Sequence, residues 1–80
     1  MKTTMKKGTI RSCEELGKTI RNLRRSQGVT QAQLAGLAYT GVRFISDLEN
    51  GKGTCQTGKM LRVLATLGVD IVIKSPYDKD

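Results

Sequence analysis

Val42, Arg43, Ser46 and Asp47 are the side chains whose types and spacing invite chemistry. Val42 and Ser46 stand four positions apart, as do Arg43 and Asp47. On a helix, that spacing puts each pair one turn apart and all four on the outward side. Such a face suits the edges of base pairs. Arg43 has paired N–H donors that match guanine O6 and N7, Val42 has methyls for a thymine methyl, and Ser46 adds a hydroxyl. Asp47 either accepts from cytosine N4 or orients Arg43 as its partner one turn away. The alternative is a solvated helix face with no ligand.

Catalytic constellations are missing from the rest of the chain. It has no histidine, no Ser or Cys beside a general base, and no Gly-rich phosphate loop, since GKG at 51–53 is too short for one. Cys13 and Cys55 are 42 positions apart, form no CxxC pair and have no histidine near them, so no metal or other cofactor is expected. They read as two small, partly buried thiols, with a disulfide left open. An enzyme is not expected.

Charge points to a polyanion. Fourteen Lys and Arg oppose seven Asp and Glu, a net of +7. Residues 1–30 carry +6, residues 31–68 carry +2 and residues 69–80 carry −1. A positive end on a small domain suits nucleic acid, though it also serves simply as a solvated surface. The start, MKTTMKKG, resembles the charged part of a signal peptide, but no apolar run follows it. No stretch nears the ~18 apolar residues of a membrane span. A cytoplasmic protein without a membrane partner is expected.

Eighty residues allow one domain. Residues 1–10 read as a flexible basic arm, 11–74 as the folded unit and 75–80 as a polar tail. Ser12 and Glu15 form a capping box, and Cys13, Leu16, Ile20 and Leu23 an apolar stripe, so a first helix is expected over about 12–27. Gly28 can end it. Thr30 caps a second helix with Gln33 as its box partner and Leu34, Ala35, Leu37 and Ala38 as its apolar side. It stops before Tyr39. Thr40 is the expected cap of a third helix, with Phe44, Ile45 and Leu48 inward and Asn50-Gly51 at its end. Thr54 is the expected cap of a fourth, about 56–67, built on Met60, Val63, Leu64 and Leu67 and stopped by Gly68. Residues 69–74, VDIVIK, read as a strand with Val69, Ile71 and Ile73 on one face and Asp70, Val72 and Lys74 on the other.

The stretch TQAQLAGLAYTGVRFISDLENGK resembles the helix-turn-helix of the XRE/phage-repressor family. The matching residues are Thr30-Gln31, Leu34-Ala35, Ile45-Ser46, Leu48-Glu49 and Asn50-Gly51, and the likeness extends over about 12–68. It implies a mainly α, lambda-repressor-like bundle of four helices that binds DNA. Gln31, at the start of the second helix, is the family's position for a backbone phosphate. Thr30, Thr40, Asn50 and Lys52 are further expected backbone contacts, although Asn50 reads equally as part of a helix cap and Lys52 as a solvated charge. The residue matching Glu49 packs back against a basic residue of the first helix, which offers Arg21, Arg24 and Arg25.

Two departures stand out. The family usually has Gly where this chain has Tyr39 and an apolar residue where it has Thr40, so a shifted or reshaped turn is expected here. Thr57 stands where Leu is common, which weakens the start of the fourth helix. The ending LGVDIVIKSP resembles small HipB-type antitoxins, whose terminal strands pair across a dimer. That likeness implies a homodimer joined through Val69, Ile71, Val72 and Ile73, a palindromic double-stranded operator, autoregulation and a HipA-type kinase toxin as partner. A stand-alone regulator, or a module that mainly neutralises a protein partner, is the competing reading.

Overall fold

The computed structural model describes residues 9–53 and 56–73 and contains helices α1 (Cys13–Ser26), α2 (Gln31–Leu37), α3 (Val42–Glu49) and α4 (Thr57–Thr66). The protein is mainly α. Residues 1–8 of the expected arm, Thr54, Cys55, Lys74 and the polar tail lie outside the described residues.

Local chemistry starts the first two helices. The Ser12 hydroxyl accepts from the Glu15 N–H at 3.1 Å, while the Glu15 carboxylate accepts from the N–H of Arg11 rather than of Ser12. At α2 the box is complete: Thr30 accepts from the Gln33 N–H, and the Gln33 side chain accepts from the Thr30 N–H. The next two starts differ from expectation. Gly41, not Thr40, is the N-cap of α3, and Gln56, not Thr54, is the N-cap of α4; neither supplies a side-chain cap bond. Thr40 is unavailable because it belongs to the end of the preceding helix, where its N–H donates to Ala35 O at 2.9 Å.

All four helices end in the same way. The residue after each C-cap has positive φ, and the next residue's N–H reaches back into the last turn: Val29 to Arg24 O, Thr40 to Ala35 O, Lys52 to Asp47 O and Val69 to Leu64 O. This is the paired hydrogen-bond ending that glycine favours. Gly28, Gly51 and Gly68 supply three of the left-handed residues, and Tyr39 supplies the fourth with φ 58°. The left-handed residue of this turn is therefore Tyr39 and not Gly41. Tyrosine takes the conformation that glycine adopts without penalty, at a cost of about 1 kcal/mol.

The core comprises Ile20, Leu34, Ala35, Ala38, Ile45, Leu48, Val63, Leu64 and Leu67, with Leu16, Leu23, Val29, Phe44, Met60 and Val69 packed around it. α3 packs on both α1 and α2, and α4 packs on α2. Two expected inward residues point out: Cys13 is exposed, and Leu37 is 62% exposed. On α1 the buried residues are Gly17, Ile20 and Arg24; Ile20 is shared with the expected stripe, and Leu16 and Leu23 pack half-buried beside it. On α2, Gln31 lies in the row of Leu34, Ala35 and Ala38, and Leu37 falls outside it.

Residues 69–73 form neither helix nor ladder in the single chain. Val69 packs against the core, whereas Ile71, Val72 and Ile73 are exposed, Ile73 by 88%. No helix among the described residues is long and apolar enough to cross a membrane.

Candidate nucleic-acid interface

The outward face of α3 comes from one short helix whose opposite side is fully used. Ile45, Leu48 and Glu49 are buried, which fixes the rotation of the helix about its axis. Val42 and Arg43 are thereby exposed, and Ser46 and Asp47 half-buried beside them. The structure brings together all four residues singled out by spacing. The Arg43 guanidinium approaches Asp47 through Nε, with Nε to Oδ1 3.7 Å, and the Arg43 side chain remains 87% exposed. Lys52 Nζ lies 3.6 Å from the same Oδ1. Asn50 Nδ2 donates to Ser46 Oγ at 3.5 Å, a long bond at the exposed end of the helix.

A buried polar cluster holds this helix against its neighbours. Arg24 Nε donates to Glu49 Oε2 at 2.6 Å and Nη2 donates to Oε1 at 3.1 Å, a forked pair from α1 to α3. Gln31 Nε2 donates to Glu49 Oε1 at 3.0 Å, which adds α2. Arg24 Nη1 donates to Val29 O at 2.9 Å, so the guanidinium also closes the end of its own helix. The basic partner expected for Glu49 is thus Arg24. Burial pushes the Glu49 carboxyl up, but bonds from Arg24 and Gln31 and the positive charges of Arg24 and Arg21 outweigh it and hold the group below the usual carboxylate range. Bonding to Glu49 raises Arg24 in turn, against the opposing effect of burial.

The expected backbone-contact residues are placed unequally. Thr30, Asn50 and Lys52 are exposed. Gln31 is half-buried, with its amide donating to Glu49. The Thr40 hydroxyl is enclosed without a hydrogen-bond partner, so it neither caps α3 nor faces outward.

Two residues that the sequence reading passed over shape the site. Arg62 on α4 donates from Nε to Ala38 O at 3.0 Å and from Nη2 to Tyr39 O at 3.3 Å. It thereby satisfies the carbonyls of the turn that tyrosine has to strain. Gly17 on α1 is where the backbone of α3 comes closest: a Cβ there would stand 2.5 Å from Leu48 O and 2.6 Å from Glu49 O. The signal for Gly17 was present, because an isolated glycine within an amphipathic helix usually has a packing reason. Arg62 gave none.

Two helices joined by a tight turn, the second packed on the first with a polar side turned out, define a helix-turn-helix DNA-binding unit. The chain belongs to the helix-turn-helix domain family, whose model matches residues 15–72. It is 46% identical over 70 residues to the uncharacterized HTH-type transcriptional regulator y4mF of Sinorhizobium fredii (strain NBRC 101917 / NGR234), covering 88% of this chain and 92% of that one. Among solved structures, a chain of the HipA-HipB-O2-O3 complex superposes with a TM-score of 0.77 at 22% identity, covering 85% of this chain and 96% of that chain. The clp gene regulator ClgR from C. glutamicum gives 0.68 at 27% identity, with 82% and 85% covered. The protein is thus a DNA-binding regulator of the helix-turn-helix class and not an enzyme.

Proposed function

We propose that this chain is a dimeric, sequence-specific repressor that lays α3 in the major groove of a palindromic operator. The observation that carries the reading is the fixed rotation of α3: Ile45, Leu48 and Glu49 are buried, and Val42 and Arg43 project outward. Val42, Arg43 and Ser46, with Asp47 beside Arg43, are the base-reading group. Thr30, Gln31, Asn50 and Lys52 hold the phosphate backbone on either side. Gln31 contributes through its N–H at the start of α2 and the amide hydrogen left over from Glu49.

A single unit of this kind touches only a few base pairs, too few to select one site among many. Pairing of residues 69–74 across a two-fold axis doubles the contacts. It also covers Ile71, Val72 and Ile73, which the single chain leaves in water. The fold shared with a chain of the HipA-HipB-O2-O3 complex supports the finer part of the reading, an autoregulating antitoxin with a HipA-type kinase as its partner. The 46% identical relative, named only as a transcriptional regulator, supports the stand-alone alternative. Co-purification with the product of a neighbouring kinase-like gene separates the two.

Arg43→Ala tests the base-reading role. It should cost ~1–3 kcal/mol on the preferred duplex and relax the choice at one base pair. Titrations of preferred and scrambled duplexes check this. An equal loss on both would make Arg43 a phosphate contact and remove the main reader from the site.

A further inference from the structure

The carboxylate of Asp47 sits between the two exposed cations of the reading face. Arg43 and Lys52 both approach the same oxygen, Oδ1, at 3.7 and 3.6 Å. Lys52 is not there by chance of a long side chain, since its N–H donates to Asp47 O at 3.1 Å in the ending of α3. Arg43 approaches the carboxylate through Nε while its side chain stays 87% exposed, so its Nη1 and Nη2 edge can reach outward. That edge is the one that can meet guanine O6 and N7 end-on.

Resting on the reading of α3 as the base-reading helix, we propose that Asp47 is a specificity-determining residue, a shared counterion that keeps Arg43 and Lys52 from gripping arbitrary phosphates while it aims Arg43 at a base. A free cation gains affinity for any DNA by releasing counterions from the backbone. A cation already paired must give up that partner first, and Asp47 itself repels the phosphates. On random DNA, little compensates for this loss. On the preferred site, Arg43 keeps its Nε beside Asp47 and gains a base contact through the open edge. The carboxylate therefore weakens nonspecific binding more than specific binding, which is specificity through a repulsive element.

The test compares Asp47→Asn with the wild-type chain on two duplexes, one enriched from a randomised pool by the wild type and one scrambled. Affinity for the scrambled duplex should rise and its salt dependence steepen, so that the ratio of the enriched to the scrambled affinity falls about tenfold. In an Arg43→Ala/Lys52→Ala background the same substitution should lose most of its effect. Asp47→Ser, which also removes the charge, should repeat the pattern, and thermal unfolding should confirm that both variants fold. An equal rise on both duplexes that persists in the double background would reduce Asp47 to a general surface charge and overturn the proposal. A loss of tenfold or more on the enriched duplex alone would make Asp47 a direct base contact and overturn it as well. Enrichment of no duplex by the wild type would instead overturn the DNA reading on which the proposal rests.

Discussion

Glu49→Ala should cost 3–5 kcal/mol, roughly the range for stripping one partner from a buried ion pair. The side chain of Glu49 is 3% exposed and that of Arg24 is 10% exposed, so the substitution leaves a guanidinium in the interior without its anion. It also removes the acceptor of Gln31. A domain of 80 residues has roughly 4–12 kcal/mol of stability in all, so the substitution removes a quarter of it at least and should lower the unfolding midpoint sharply. Replacing both partners, as Arg24→Met with Glu49→Leu, should recover much of the loss, because no charge is then buried. Chemical denaturation of the single and double variants checks the pair. The pH dependence has a definite sign. The folded-state value of Glu49 is lowered, so its contribution is present above the unfolded value of about 4.3 and is lost as pH falls through the lower folded value. The wild type should therefore lose stability on acidification below about pH 4.3, and the double variant should lose less over that window.

Gly17→Ala should destabilise the protein by about 1–3 kcal/mol, although alanine is the better helix former. On an exposed helix the change would gain about 1 kcal/mol. Here the new methyl would meet Leu48 O, Glu49 O and the Glu49 carbonyl carbon, all within 3 Å and all backbone. Backbone cannot swing aside as a side chain does, so α1 and α3 must separate. Separation lengthens the Arg24–Glu49 contacts and tilts α3. DNA affinity should fall together with stability, and Gly17→Val should be worse than Gly17→Ala. Calorimetry alongside duplex titration reads both effects; a stabilised Gly17→Ala protein would mean that α1 and α3 are not in contact there.

Capping was legible from sequence because it is local. Ser12 and Thr30 act on atoms within three residues, and Gly28, Gly51 and Gly68 stand where only a backbone conformation matters. The bounds of α1 and the end of α4 followed from these residues and the apolar period. The outward position of Val42 and Arg43 was legible too, since it is the complement of Ile45 and Leu48. What escaped was tertiary. Which of Arg21, Arg24 and Arg25 meets Glu49, and that Gln31 joins them, depends on how the helices pack, and the positions of Arg24 and Gln31 on the buried lines leave Cys13 and Leu37 outside. Thr40 could be read as a cap on local grounds, but the end of α2 claims it first. Tyr39 hid the turn, because no local rule picks tyrosine for positive φ; Arg62, 23 residues away, satisfies its carbonyl.

On the proposed function, two copies of this chain read a symmetric DNA site through α3. Enrichment of duplexes from a fully randomised pool by the full-length chain tests it most directly, because protein symmetry is copied into the sequences recovered. The recovered duplexes should carry an inverted repeat with half-sites roughly 10 base pairs apart from centre to centre, and should lose one fixed base pair in each half-site when Arg43→Ala is used. A pool that stays random, or that converges on a single unrepeated half-site, would contradict it.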